Sequence, residues 1–186
     1  MTHKEMKKKV YGMIEELNPD SEYLTDDPDL STKYNGVCNQ VMLELARIKK
    51  IPRYIELEVR SGDILTFEDL EAECGNEIYQ IAKVEGVNHL YKASGTVVKV
   101  TSDGTAEIDV YVYPERITDS TSDSYEFELS PDVLEIMPYG IAADLLKSDI
   151  SAEYGNVYAN RFKDMLNSLD PRYMMYSVYI EGGVNW

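Results

Sequence analysis

Apolar residues recur at three-and-four spacing in the first 50 residues and again after residue 130, and between these blocks the period drops to two. Met6, Val10, Met13, Ile14 and Leu17 mark one face of a short amphipathic helix over 4–17, closed by Asn18-Pro19. After the polar stretch 20–29, Asp26-Asp27-Pro28 leads into a second helix carrying Leu30, Tyr34, Val37, Val41, Leu45 and Ile48. Arg47, Lys49 and Lys50 suit its carboxyl end, and Pro52 stops it. Gly36 and Cys38 are small enough to admit another helix at close range, so this helix is expected against the 130–170 region.

That region has the strongest helical signal. Ser130-Pro131 reads as a cap, with a side-chain oxygen for the free amides and a proline where no amide is missed. Leu134, Met137, Ile141 and Leu145, with Val133 and Ile136, form the stripe of a helix buried on one side. Pro138 predicts a kink, or one short helix running into another, with Gly140 adding looseness. Ser151 is a second cap, and Tyr154, Val157, Tyr158, Phe162, Met165, Leu166 and Leu169 continue to Asp170-Pro171. The short connection at 148–150 predicts an antiparallel helical hairpin whose apolar face something else must cover.

From Arg53 the alternation is that of strands: 54–60, 64–67, 77–84 and 87–91, with 68–73 open to a turn of helix. The run 95–101, the turn Ser102-Asp103-Gly104 and the run 105–113 predict a hairpin, because Asp-Gly supplies the positive φ that a tight turn needs. In the second arm Ala106, Ile108, Val110 and Val112 face a core, leaving acid and tyrosine on the other side. A polar loop at 118–124 and a last short strand at 125–129 complete the block. The tail 172–186 is apolar and aromatic, broken by Gly182-Gly183. It is expected to dock on its own β-rich block or to add a strand to a partner's open sheet edge.

The expected fold is therefore α+β. A four-helix-type bundle, two amino-terminal and two carboxyl-terminal helices (1–50 and 130–170), carries an inserted antiparallel β-sandwich-like module (51–129) and an extended carboxyl-terminal arm (171–186).

Composition then narrows the function. The 186 residues carry a net charge of −16, with 6 basic against 17 acidic residues in 51–130 alone. Duplex binding through that surface is not expected, since phosphate contacts need Lys and Arg. No run approaches the roughly 18 apolar residues of a membrane span, and no signal-peptide block follows the early lysines. A soluble, cytoplasmically made protein is expected. Cys38 and Cys74 are too few for a disulfide framework or a zinc site, and reduced thiols are expected.

Catalytic chemistry finds little support. His3 lies at an expected frayed terminus and His89 in an expected strand, so no Ser-His-Asp or Cys-His set can be assembled. Neither GxxxxGK[ST] nor GxGxxG occurs. Glu107 and Asp109 share a strand face about 7 Å apart, the best pair for a glycosidase, but an exposed acidic face is ordinary solvated surface. Asp26, Asp27 and Asp29, or Asp119 and Asp123, do not match a calcium loop. No enzyme activity, cofactor or metal is expected. Tyr111 and Tyr113 on a polar strand face, with Tyr79 and Tyr91 near, suit a subunit or partner contact patch or, as the alternative, a sugar-stacking platform of a carbohydrate-binding module.

The stretch DLSTKYNGVCNQVMLELARIKKIP (29–52), followed after the β-rich block by YEFELSPDVLEIMPYGIAADLLKSDISAEYGNVYANRFKDMLNSLDPR (125–172), resembles the head-to-tail connector (adaptor) proteins of tailed bacteriophages and prophages. The resemblance covers the helical parts, a little over half of the chain. It implies a non-catalytic virion protein, assembled in the host cytoplasm, that forms a ring, typically dodecameric, between the portal protein and a tail-side connector or stopper. DNA would pass through its channel without sequence-specific binding, and the free protein can be a monomer. It also implies that the carboxyl-terminal arm reaches the portal, here through Tyr173, Met175, Tyr176, Val178, Tyr179, Ile180 and Trp186.

Overall fold

Thr2 opens helix α1 (His3–Met13) with a reciprocal cap, its hydroxyl accepting from the Glu5 amide while the Glu5 carboxylate accepts from the Thr2 amide. The computed structural model describes residues 1–15, 28–92, 95–148 and 152–169. The arm residues Tyr173, Met175, Tyr176, Val178, Tyr179, Ile180 and Trp186 lie outside the described residues. Two compact units emerge, Met1–Ile48 with Arg116–Trp186, and Lys49–Glu115.

The first unit is organised around α4 (Pro131–Leu145), which packs against α1, α2 (Pro28–Ile48) and α5 (Ala152–Leu169). Its buried residues include Val133, Leu134, Ile136, Met137, Ile141 and Ala142, an arc wider than one stripe that leaves Asp132 and Glu135 exposed. The buried side is thus broader than the spacing of Leu134, Met137, Ile141 and Leu145 implies. Pro138 is accommodated within one α-helix, and a single 3₁₀ turn (Leu146–Ser148) follows. Pro131 occupies the first turn, but the Ser130 hydroxyl makes no cap hydrogen bond. On α2 the buried stripe is Tyr34, Cys38, Val41 and Leu45, flanked by Met42 and Ala46. Gly36 faces open space, so it is not the point of close approach.

That point is Gly140, where the Phe162 ring fills the space of a missing Cβ, and Gly155 lies beside Leu146 and Ala143. These contacts run in opposite directions along α4 and α5, which makes the pair antiparallel. The segment 117–129 is bound down as a strap. Asn39 grips the Ile117 amide and carbonyl at 2.7 and 2.8 Å, Asn35 donates to Asp119, and the His3 and Lys4 amides donate to the Tyr125 and Asp123 carbonyls. The strand expected at 125–129 is reduced to one bridge, Thr2 with Glu126, because no further extended neighbour lies alongside it among the described residues.

In the second unit six strands form two three-stranded antiparallel sheets: β1 (Ile51–Val59), β6 (Gly104–Val112) and β3 (Ile78–Glu85) in that order, and β2 (Ile64–Thr66), β5 (Val97–Val100) and β4 (His89–Lys92) in that order. Each sheet takes one piece of the same three arms, β1–β2, β3–β4 and β5–β6. The arms bend between pieces at Gly62, Gly86 and Gly104, whose φ angles are 105°, 79° and 150°. Helix α3 (Phe67–Cys74) returns the chain from β2 to β3 over the inner face, burying Leu70. The arms β1–β2 and β3–β4 thus flank β5–β6, giving a split β-α-β arrangement.

The expected four-helix bundle with an inserted sandwich is therefore wrong: among the described residues the fold is α+β with five helices and two three-stranded antiparallel sheets. The sheets are not independent layers, because the same three arms run through both. A fifth helix, capped reciprocally by Thr66 and Asp69 and ended by Gly75 in the left-handed region, supplies part of the cover. The hairpin expected across Ser102-Asp103-Gly104 is likewise overturned. Gly104 does need its positive φ, but for a corner within an arm: β5 pairs with β2 and β4, whereas β6 pairs with β1 and β3.

Candidate functional site

The residues able to do acid–base or nucleophilic work are dispersed. His3 is not frayed: it is 1% exposed, wedged between the rings of Tyr34 and Phe127. Neither ring nitrogen meets hydrogen-bond geometry, although the Ser122 carbonyl lies close enough to favour the charged form. Burial, followed by the nearby Lys7, lowers the His3 pKa. Cys38 is free and buried beside the Tyr34 hydroxyl, and burial pushes its thiol up to about 12, the state of an inert core thiol. Cys74, also free, donates to the Asn76 carbonyl. His89 sits in β4 against Tyr91 and its own Val87 carbonyl.

Glu107 and Asp109 both point outward from β6, in different rows of the sheet. Glu107 lies directly between Glu56 and Glu85, and Asp109 between Tyr54 and Lys83. Like charges placed opposite one another on adjacent strands repel, so this row costs stability. Lys83 answers it in part, its ammonium held by Glu85 at 2.8 Å and its pKa raised chiefly by that hydrogen bond. The Tyr54 phenol, 57% exposed, is also pushed up, first by local desolvation and then by Glu107 and Glu56. Among the described residues no group of three His, Cys, Asp or Glu side chains is arranged to hold a metal ion.

The tyrosines come together, but largely on one another. Tyr79 lies 4.7 Å from Tyr113 and 6.4 Å from Tyr111, ring centre to ring centre, and the Lys50 ammonium sits 4.4 Å over the Tyr111 ring. Tyr113 is only 8% exposed, and Tyr111 is half-buried.

The accessible apolar surface is elsewhere. On the β2–β5–β4 sheet the register puts Ile64, Lys99 and Leu90 in one outward row, with Thr66, Val97 and Lys92 in the next. Ile64 is 56% and Leu90 58% exposed. On α5, Val157 is 63% exposed, and Met165, Leu166 and Leu169 are half-buried although Phe162 is seated on α4. Sequence reading missed the sheet patch because its rows join residues from three arms. An open groove of about 520 Å³ runs along α2, lined among the described residues by Gln40, Leu43, Glu44, Arg47 and Ile48.

No helix among the described residues is long and apolar enough to cross a membrane. Compared with protein-family models and with curated proteins, the chain finds no match in either.

Proposed function

We propose that this chain is a structural, non-catalytic subunit of the head-to-tail connector type, which self-associates into a ring and contacts a portal protein on one side and a tail-side partner on the other. The observation that carries this reading is apolar surface on α5: Val157 is exposed, and Met165, Leu166 and Leu169 are only half-buried, on a helix packed on α4 through Phe162 and Gly140. A rigid helix that keeps apolar surface in water suits an interface completed by another chain. The aromatic segment 172–186 is assigned to portal contact, and the virion is the site of action.

Quantitative mass spectrometry of purified particles from the encoding host tests this. A small fixed copy number relative to the portal supports the reading; absence from intact, tailed particles rejects it. Removing 172–186 should leave the helical content intact and abolish capture by the portal protein, whereas retained capture would reject the assignment of that segment.

The sugar-binding alternative has less support, since Tyr79, Tyr111, Tyr113 and Lys50 already pack together.

A further inference from the structure

The outer surface of the second unit is divided in charge at the bends of its arms. On the β1–β6–β3 half the outward positions include Glu56, Glu107 and Glu85 in one row, beside Tyr54, Asp109 and Lys83 in the next. On the β2–β5–β4 half the outward positions are Ile64, Thr66, Val97, Lys99, Leu90 and Lys92, with no carboxylate among them. Within an acidic second unit this patch is apolar and lysine-bearing, and neither lysine side chain makes an ion pair or hydrogen bond among the described residues.

One ladder joins the two halves. Val59 faces Gly104, and five residues along each arm Ile64 faces Lys99, so that register continues unbroken through the corner. On the other side four residues separate Glu85 from His89, but seven separate their partners Glu107 and Val100. The central arm thus holds three more residues than its neighbour at this corner, so the ladder is interrupted there while it continues on the other side. Inward residues of both halves include the buried Ile55, Ile108, Leu65 and Val98, so the core lies on the inner side. The two outer halves therefore face different directions.

We infer that the Ile64–Leu90–Lys99 patch of one copy docks on the Glu56–Glu107–Glu85 face of a second copy, head to tail. Opposite charge selects the occupant: the lysines meet a carboxylate row whose mutual repulsion they relieve, and Ile64 and Leu90 can cover the exposed Tyr54 ring. Because the halves diverge, a two-fold mate could not engage both at once. Each copy keeps a free acidic face at one end and a free lysine patch at the other, which propagates a ring or an open chain. The inference rests on the self-association in the proposed function and adds to the α5 surface a contact between the second units of neighbouring copies.

The test uses the full chain, isotopically labelled and unlabelled copies mixed, with a zero-length carboxyl–amine cross-linker. Cross-links from Lys92 or Lys99 of one copy to Glu56, Glu85 or Glu107 of another are expected, with concentration-dependent association in the ultracentrifuge. The variant Lys92→Glu/Lys99→Glu should weaken association at least tenfold, as should Glu56→Lys/Glu107→Lys. Mixing the two reversed variants should restore it, an outcome that misfolding cannot mimic. A monomer at every concentration, association unaffected by either reversal, or cross-links only within a copy would overturn the contact. Presence in particles without these cross-links would reject only this inference; the cross-links without presence in particles would reject only the connector reading.

Discussion

The ring of Phe162 on α5 occupies the volume that any side chain at Gly140 on α4 would need: a Cβ there would lie 2.8 Å from Cε2 and 3.0 Å from Cζ. The two helices meet where one has no side chain. Gly140→Val should destabilise the fold by about 2 kcal/mol, within the usual range for overpacking. Gly140→Ala should cost less, because better helix propensity returns up to about 1 kcal/mol. In a urea-unfolding cycle, Phe162→Ala should remove most of the valine penalty; additive losses would mean that the ring is not what resists the new side chain.

The three corner glycines should not be equivalent. A Cβ on Gly86 would run into the Thr105 carbonyl oxygen, whereas one on Gly62 meets nothing within 4 Å. Gly62→Ala should cost about 1–2 kcal/mol for its positive φ alone. Gly86→Ala should cost clearly more, since a backbone atom cannot rotate aside. Thermal unfolding of the two variants side by side checks the order.

Asn39 satisfies both polar groups of Ile117, a residue 2% exposed. Replacing it with leucine strands a buried amide and a buried carbonyl, with an expected loss of about 2–4 kcal/mol. Hydrogen exchange should show the Ile117 amide losing protection before α4 does. Unchanged protection would mean that the strap is held by its other contacts.

Acid should weaken the protein through His3. Its folded-state pKa is lowered by burial and by Lys7, with the Ser122 carbonyl and Asp123 opposing. In the unfolded chain it titrates near the ordinary histidine value, about 6.5. Above that value both states are neutral and the contribution is fully present. As pH falls below it the unfolded chain takes up the proton first, so stability declines down to the folded-state pKa. The urea midpoint of the parent should therefore fall more steeply than that of His3→Leu between pH 7.5 and 5; parallel curves would remove His3 from the account.

Cys38, buried with its thiol pushed up to about 12, should resist alkylation at pH 8, and the half-buried Cys74 should be modified first. Peptide mapping after brief iodoacetamide treatment reads the order directly.

Local signals carried a good part of this structure. Periodicity and proline placement located α2, α4 and α5, and alternation located the strands on either side of Gly86. The sequence also holds signals that its reading passed over: Thr66 three residues before Asp69 and Gly75 beyond for α3, and Thr2 with Glu5 for the start of α1, where fraying at His3 is expected instead. These features depend on residues a few positions apart, and a short chain segment contains all the physics that decides them.

What the sequence could not decide was pairing over long separations. Asp103-Gly104 announces a positive φ, but whether that φ reverses the chain or bends an arm depends on where β1, β2 and α3 lie. The same holds for His3, whose burial is made by Tyr34 and Phe127. It holds again for Gly140, whose meaning is set by Phe162 on another helix, and for the row Ile64–Lys99–Leu90, assembled from three arms. By itself the sequence determined where α2, α4, α5 and most of the strands lie and where their apolar positions fall, because spacing along one segment carries both signals. Only the tertiary structure decided which faces cover one another and which stay in water, because that depends on register and packing between segments that no local pattern encodes.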